Sequence, residues 1–221
     1  METVVLSLGG SIIYPGEIDV DFLSRFKELI LAQKKKFIII TGGGVICRKY
    51  MEAAKKLSPV KQRDLDWIGI RSTELNAELV RSMFGELTTD TIQPDYNKKV
   101  EFKKVLLGCG FIPGTSTDFD AVMYAKNYSA KTVINMSNIE YAYDKDPKKF
   151  PDAKKLENVS WKEFRKIVGD KWLAGGNFPF DPIASKKAEE VGLKVIILKG
   201  TDLDNLKNCL DGKKFKGTVI G

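Results

Sequence analysis

The stretch Phe37-Ile38-Ile39-Ile40-Thr41-Gly42-Gly43-Gly44-Val45-Ile46-Cys47-Arg48-Lys49-Tyr50 constrains the fold more than any other. Four apolar residues in a row, three of them β-branched, read as a strand buried on both faces. The glycines that follow have no Cβ to hold a ligand away. The helix-like run after them brings free backbone N–H groups and a positive dipole end to the same point. Strand, glycine turn and helix together make an anion site, and Arg48 falls about one turn into that helix, on the side of the site. A second strand-to-glycine turn opens the chain, where Val4 to Leu8 runs into Gly9-Gly10-Ser11.

The remaining segments alternate in the same way. Asp19 is an N-cap candidate, and Phe22, Phe26, Leu29 and Ile30 share one face of a helix over 19–33. Lys34-Lys35-Lys36 closes it as a C-terminal charge cluster. A long helical pattern runs from Lys61 to Phe84 through Leu65, Ile68, Leu75, Leu79 and Met83, with Asp66 beside Trp67 near its start. Leu87 to Val100 has no assignable pattern. Val105 to Leu107 is a strand entering a glycine- and hydroxyl-rich loop, Gly108 to Thr117, after which Asp118 opens a helix. Thr132 to Met136 is a strand, followed by a polar loop from Ser137 to Asp146-Pro147. Lys154 to Val168 reads as a charged surface helix with Ser160 as its cap, and Gly175-Gly176-Asn177 as a flexible turn. Asp181-Pro182 starts a helix, with proline at its favoured first position. Val195 to Leu198 is a strand, Leu203 to Leu210 a short helix and Thr218 to Ile220 a last strand. This order predicts an α/β fold with a mostly parallel sheet, whose ligands sit at the carboxyl ends of the strands. A change in character near residue 130 separates an N-terminal acceptor half from a C-terminal half without a flexible linker.

The net charge of +7 favours anionic partners. The chain has no histidine, which excludes Ser-His and Cys-His nucleophile systems, a histidine base and a histidine-ligated metal. Cys47, Cys109 and Cys209 lie far apart, without metal-ligand spacing, and fit a reducing, cytoplasmic compartment. Met1-Glu2 leads straight into a strand, so no signal peptide is expected, and no apolar run is long enough to span a membrane. Interleaved basic and aromatic nucleic-acid motifs are absent. So is Gly-x-x-x-x-Gly-Lys-Ser/Thr, and Gly108-Cys109-Gly110 is only the first half of a dinucleotide fingerprint.

In order along the chain stand Leu8-Gly9-Gly10-Ser11, Gly42-Gly43-Gly44 with Arg48-Lys49-Tyr50, and Asp66-Trp67-Ile68-Gly69-Ile70. After them come Thr115-Ser116-Thr117-Asp118, Ser137-Asn138 through Tyr143 and Asp146-Pro147, and Asp181-Pro182-Ile183-Ala184-Ser185-Lys186. With these motifs the chain resembles, from end to end, the amino acid kinase family and within it the archaeal type of UMP kinase. The resemblance implies a three-layer αβα sandwich forming a single domain over 1–221, with a UMP-binding lobe over about 1–130 and an ATP-binding lobe over 131–221. It implies transfer of a phosphoryl group from ATP, with Mg²⁺, to UMP. Gly9, Gly10, Ser11, Gly44 and Arg48 would hold the ATP phosphates, and Ser137, Asn138, Tyr143 and Asp146 its adenine and ribose. Gly43 would contact UMP, Asp66 its ribose, and Phe111, Ile112, Pro113, Gly114, Thr115, Ser116 and Thr117 its base and phosphate. Asp118 would organise the transfer site, with Lys186 and Arg48 as cations near the moving phosphate.

Two departures stand out. Many relatives carry lysine where this chain has Ser7, which makes Lys186 the candidate replacement cation. Phe111-Ile112 stands where more polar residues are expected, which bears on the acceptor. The resemblance further implies a homohexamer built from dimers, with the apolar face of the 19–33 helix as the dimer contact. No protein metal cage, membrane or nucleic-acid partner is expected. The alternatives are an isopentenyl phosphate kinase-like enzyme, against which the missing histidine counts, and a non-catalytic nucleotide sensor.

Overall fold

The computed structural model describes residues 1–169 and 178–221, so the expected turn Gly175-Gly176-Asn177 lies outside the described residues. Nine strands are assigned among them: β1 (Thr3–Leu8), β2 (Lys36–Thr41), β3 (Val105–Gly108), β4 (Thr132–Ser137), β5 (Ala142–Tyr143), β6 (Lys155–Leu156), β7 (Asn158–Val159), β8 (Lys194–Lys199) and β9 (Thr218–Ile220). The helices are α1 (Gly10–Ile13), α2 (Val20–Ala32), α3 (Gly44–Leu57), α4 (Gln62–Ser82), α5 (Thr117–Asn127), α6 (Trp161–Val168), α7 (Pro182–Glu190) and α8 (Leu203–Leu210).

Seven strands form one sheet in the order β3-β2-β1-β4-β8-β9-β7, and β5 pairs with β6 as a separate antiparallel ribbon. The pairs β1–β2, β2–β3, β1–β4 and β4–β8 are parallel. β9 runs antiparallel to β8, and β7 follows β9. From β1 the chain builds outward through β2 to β3 and then crosses back to β4 on the other side. The carboxyl ends of β1 and β4 therefore flank the point where strand order reverses, the crevice in which open α/β sheets bind ligands.

The period of two along β1 divides the core. Val5 joins Ile38, Ile40, Leu106, Val133 and Ile197 under α5, α6 and α7. Val4, Leu6 and Leu8 join Phe37, Ile39, Leu107 and Met136 under α2 and α8. Helix, sheet and helix make the expected three layers, and burial on both faces explains why the strands read as unbroken apolar runs.

Two expectations change. Residues 155–159 are not helical: Lys155 pairs with Tyr143 and Asn158 with Val219, and helix begins only at Trp161. The local lysine- and glutamate-rich composition favours helix, but pairing with distant strands overrides it. Ser160 does cap α6, in a full capping box with Glu163. The apolar face of α2, expected at a dimer contact, is taken by the chain's own core, where Phe26 and Ile30 are completely buried. Each such side chain contributes on the order of 1.5–3 kcal/mol by leaving water, so that face is not free for a partner. Asp118 lies in the first turn of α5 as expected, and Ser116 caps that helix, its hydroxyl accepting from the Phe119 N–H.

Candidate active site

The two glycine turns sit back to back. β1 and β2 are in register at Leu8 and Thr41, so their carboxyl ends meet. The Gly42 N–H donates to the Leu8 carbonyl at 2.9 Å. A Cβ on Gly10 would lie 2.3 Å from the Gly42 oxygen, and one on Gly44 would lie 2.3 Å from the Gly10 carbonyl carbon. Gly44 also has φ of +64°, which disfavours any other residue. Two backbones thus touch where a side chain on either would separate them.

Helix α4 locks this joint with groups the sequence reading missed. The Asn76 amide donates to the Gly42 oxygen at 2.7 Å and to the Gly43 oxygen at 3.4 Å. The Thr41 hydroxyl donates to the Thr73 carbonyl at 2.8 Å, and the Thr73 hydroxyl accepts the Gly110 N–H at 2.9 Å. The expected apolar stripe is partly wrong: Leu75 is exposed, while Thr73 and Asn76 are buried. Buried polar residues one turn apart on an amphipathic helix were the available signal, since such groups need partners.

Beside the joint lies a cavity of about 560 Å³. Gly43, Gly44 and Arg48 line one wall, Gln62, Asp66 and Gly69 of α4 another, and Gly110, Ile112, Thr115 and Thr117 a third. Gly43, Asp66 and the 110–117 loop, far apart in the chain, are brought together here. Gly44 and Arg48, which the resemblance sets on the ATP-phosphate side, share this cavity. Asp66 accepts from the Gln62 amide at 2.8 Å. Phe111 turns its ring inward onto Tyr96, 5.3 Å between centroids, and does not line the cavity, although its neighbours Gly110 and Ile112 do. Ser116 is engaged as the α5 cap, and the Thr115 hydroxyl donates to the Ile112 carbonyl. Pro113 and Gly114 form the outer bend, with Gly114 at φ of +86°. A larger hollow of about 770 Å³ opens at the far edge of the sheet between Tyr141, Asp202 and Lys213. It is lined by none of the candidate substrate-binding residues, so the smaller cavity is the better acceptor candidate.

Across the joint, the Gly9 N–H donates to the Met136 carbonyl at 3.1 Å and the Gly200 N–H to the Ser137 carbonyl at 2.7 Å. The ends of β1, β4 and β8 therefore converge, with Gly9, Ser137 and Gly200 as neighbours; Gly200 was not foreseen. The Ser137 hydroxyl meets the exposed Asn138 side chain at 3.4 Å. Tyr143 lies on β5, and Asp146 is exposed, its carboxylate accepting the Lys148 N–H in a local turn. Ser11 is half-buried on α1.

Asp118 faces the reversal point. Its Oδ1 accepts from the Ser7 hydroxyl at 3.2 Å and the Asn135 amide at 3.5 Å, and its Oδ2 from the Asp181 N–H at 3.3 Å. Burial, and then the negative charge of Asp181, push its carboxyl up to about 6. Asp181 is itself raised by burial while capping α7 through the Ala184 N–H. Ser7 thus meets Asp118 with a hydroxyl. Lys186 is exposed on α7, and its charge bears on Glu190 further along the helix. Among the described residues no group of acids and cysteines is placed to hold a metal ion.

Residues 2–199 match the model of the amino acid kinase family. A uridylate kinase of Thermoplasma volcanium is 34% identical over 99% of this chain and 97% of its own length. One of Thermococcus kodakarensis is 31% identical over 98% of both chains. The crystal structure of a uridylate kinase from Archaeoglobus fulgidus superposes with a TM-score of 0.86 and 30% identity over the whole of both chains. A UMP kinase from Ureaplasma parvum, 18% identical with a TM-score of 0.78, shares the fold. With glycine joints at the carboxyl ends of a parallel sheet and a match that runs nearly the length of the chain, the protein belongs to the amino acid kinase family.

Proposed function

We propose that the chain is a UMP kinase that transfers the γ-phosphoryl group of MgATP to UMP, giving UDP and ADP. The observation that carries this is the cavity in which Asp66, Gly43 and the 110–117 loop meet Arg48 beside the Gly10–Gly44 joint. UMP takes this cavity, its ribose hydroxyls on Asp66 and its phosphate toward Gly43 and Arg48. ATP takes the other side of the joint, at Gly9, Gly10 and Ser11, with adenosine toward Ser137, Asn138, Tyr143 and Asp146. The ends of β2 and β3 thereby serve the acceptor and those of β1 and β4 the donor, within one domain.

A phosphate oxygen of UMP forms the new bond to the γ-phosphorus as the bond to the β–γ bridging oxygen breaks, and ADP leaves with that electron pair. The nucleophile is already anionic, so a chain without histidine lacks nothing for this step. Catalysis of phosphoryl transfer is mostly positioning and neutralisation of spread charge. Mg²⁺ bound to ATP would neutralise part of the phosphate charge; Arg48 and the backbone N–H groups of the glycine turns supply the rest. Asp118 orients the Ser7, Asn135 and Asp181 groups around the reacting phosphate. Lys186 is the cation that could swing toward it. A role in pyrimidine nucleotide synthesis, a cytoplasmic setting and a homohexameric assembly complete the proposal. The free state of all three cysteines supports the setting.

A coupled assay of ADP release against UMP, CMP, AMP and isopentenyl phosphate tests the acceptor. UMP is expected to lead by at least about 10²-fold in kcat/KM, well within the roughly 10⁴–10⁵ that site-built hydrogen bonds to a substrate can supply. Equal rates across the panel reject it.

A further inference from the structure

Asp120 has no part in the site as described. It lies on α5 two residues beyond Asp118 and faces the start of the 110–117 loop rather than Ser7. Its side chain has no exposed surface, and neither carboxyl oxygen has a hydrogen bond of good geometry. The Phe111 backbone N–H faces it and favours its charged form. Burial first, and then the charge of Asp118, oppose that form and hold the group well above the usual carboxylate range. Tyr96 before β3, Cys109 at its end and Tyr124 on α5 feel the same charge, and none is a cation. A buried carboxylate without a cation costs several kcal/mol, so these surroundings favour the protonated form.

What rests on Asp120 is a cavity wall. Phe111 stands between Gly110 and Ile112, which both line the cavity. The Gly110 N–H is fixed by Thr73, and the Phe111 ring by Tyr96. The Phe111 amide is the backbone group of this wall that points at a buried acid.

We propose that Asp120 is a positioning residue for the acceptor: its carboxylic acid sits under the Phe111 N–H and sets the height of the 110–112 wall. The inference rests on the reading of this cavity as the acceptor site. When the acid ionises it can reach water only by displacing the loop, so the acceptor KM climbs on the alkaline side while the donor KM does not.

The test compares wild type, Asp120→Asn and Asp120→Leu. The amide keeps an oxygen for the Phe111 N–H and cannot ionise; leucine fills the space and offers no acceptor. Asp120→Leu is expected to raise the UMP KM about tenfold, with kcat and the ATP KM within about twofold. Asp120→Asn should stay near wild type at pH 7 and lose the alkaline rise. Backbone amide exchange over 109–117, followed by mass spectrometry without ligand, should accelerate in Asp120→Leu and not in Asp120→Asn. That readout needs no acceptor and separates failure of this inference from failure of the UMP reading. If the leucine variant does not fold, Asp120→Ala serves the same comparison. The proposal is overturned by wild-type exchange and UMP KM in a folded leucine or alanine variant. Equal rises in both KM values, or an asparagine variant as impaired as leucine, overturn it too.

Discussion

Two acids beside the joint carry opposite expectations. Asp66 accepts a hydrogen bond from Gln62 and lines the cavity outside the buried core, so its loss removes a contact without opening the core. Asp66→Ala should raise the UMP KM about tenfold and the ATP KM less than twofold; equal rises in steady-state kinetics would show that it does not face the acceptor. Asp118 is held up to about 6, so below that pH it carries a proton and its neighbours lose an anionic partner. Turnover should fall as pH drops through about 6, which a kcat–pH profile measures. Stability responds with the other sign. The native state binds the proton more tightly than the unfolded chain, whose aspartates titrate near 4, so stability decreases as pH rises from about 4 to about 6. Asp118→Asn removes the repulsion from Asp181. It is expected to lower kcat by 10²-fold or more while raising the melting temperature by a few degrees. A variant that melts earlier and turns over normally would mark Asp118 as purely structural. Asp118 and Asp66 are expected at the site because each stands in a short motif, whereas the pairing of Asp118 with Ser7, far off in the chain, has no signal in the sequence. Thr73 and Asn76 stayed hidden for the same reason: their partners are Gly110 and Gly42, and neither partner is local.

At the scale of elements, local chemistry was the readable part. Phe37 to Ile40 followed by three glycines announced β2 and its turn, and Asp19, Ser160 and Asp181 announced helix starts that their side chains do cap. What sequence hid was partnership. The face of α2 looked available for another subunit because nothing in its own pattern says that α8 and the sheet cover it. Residues 155–159 looked helical because strand pairing with β5 and β9 is non-local. The glycine joint gives a sharp contrast between two elements. Gly44→Ala meets both a positive φ and a 2.3 Å clash, and should destabilise by roughly 2–4 kcal/mol. Gly16→Ala, where nothing lies within 4 Å, should stay within about 0.5 kcal/mol. Chemical denaturation of both variants measures the difference, and similar midpoints would refute the tight contact.

For the whole molecule, seven strands share one sheet, and on the proposed reading the donor and acceptor halves form one cooperative body rather than two hinged domains. Binding in either half should therefore stabilise all of it. UMP at about 100 times its Kd adds about 2.7 kcal/mol, which for a chain of this size is a rise of roughly 5–10 °C in a single melting transition. Two transitions, with only one moved by UMP, would contradict a shared core. The three-layer architecture and the parallel order were open to sequence, since alternating elements admit few topologies. The antiparallel turn of β9 was not, because nothing in Thr218 to Ile220 records which way its neighbour runs.

The Gly10–Gly44 contact also bears on how such a protein can change. Both positions already hold the smallest residue, so neither can be enlarged and then rescued at the other. If ATP and UMP bind on either side of this contact as proposed, the spacing between them is a fixed gauge, while side chains such as Ile112 at the cavity wall have more room to change. Descendants of this chain can drift toward a new acceptor one side chain at a time, but the distance a phosphate must travel is inherited unchanged.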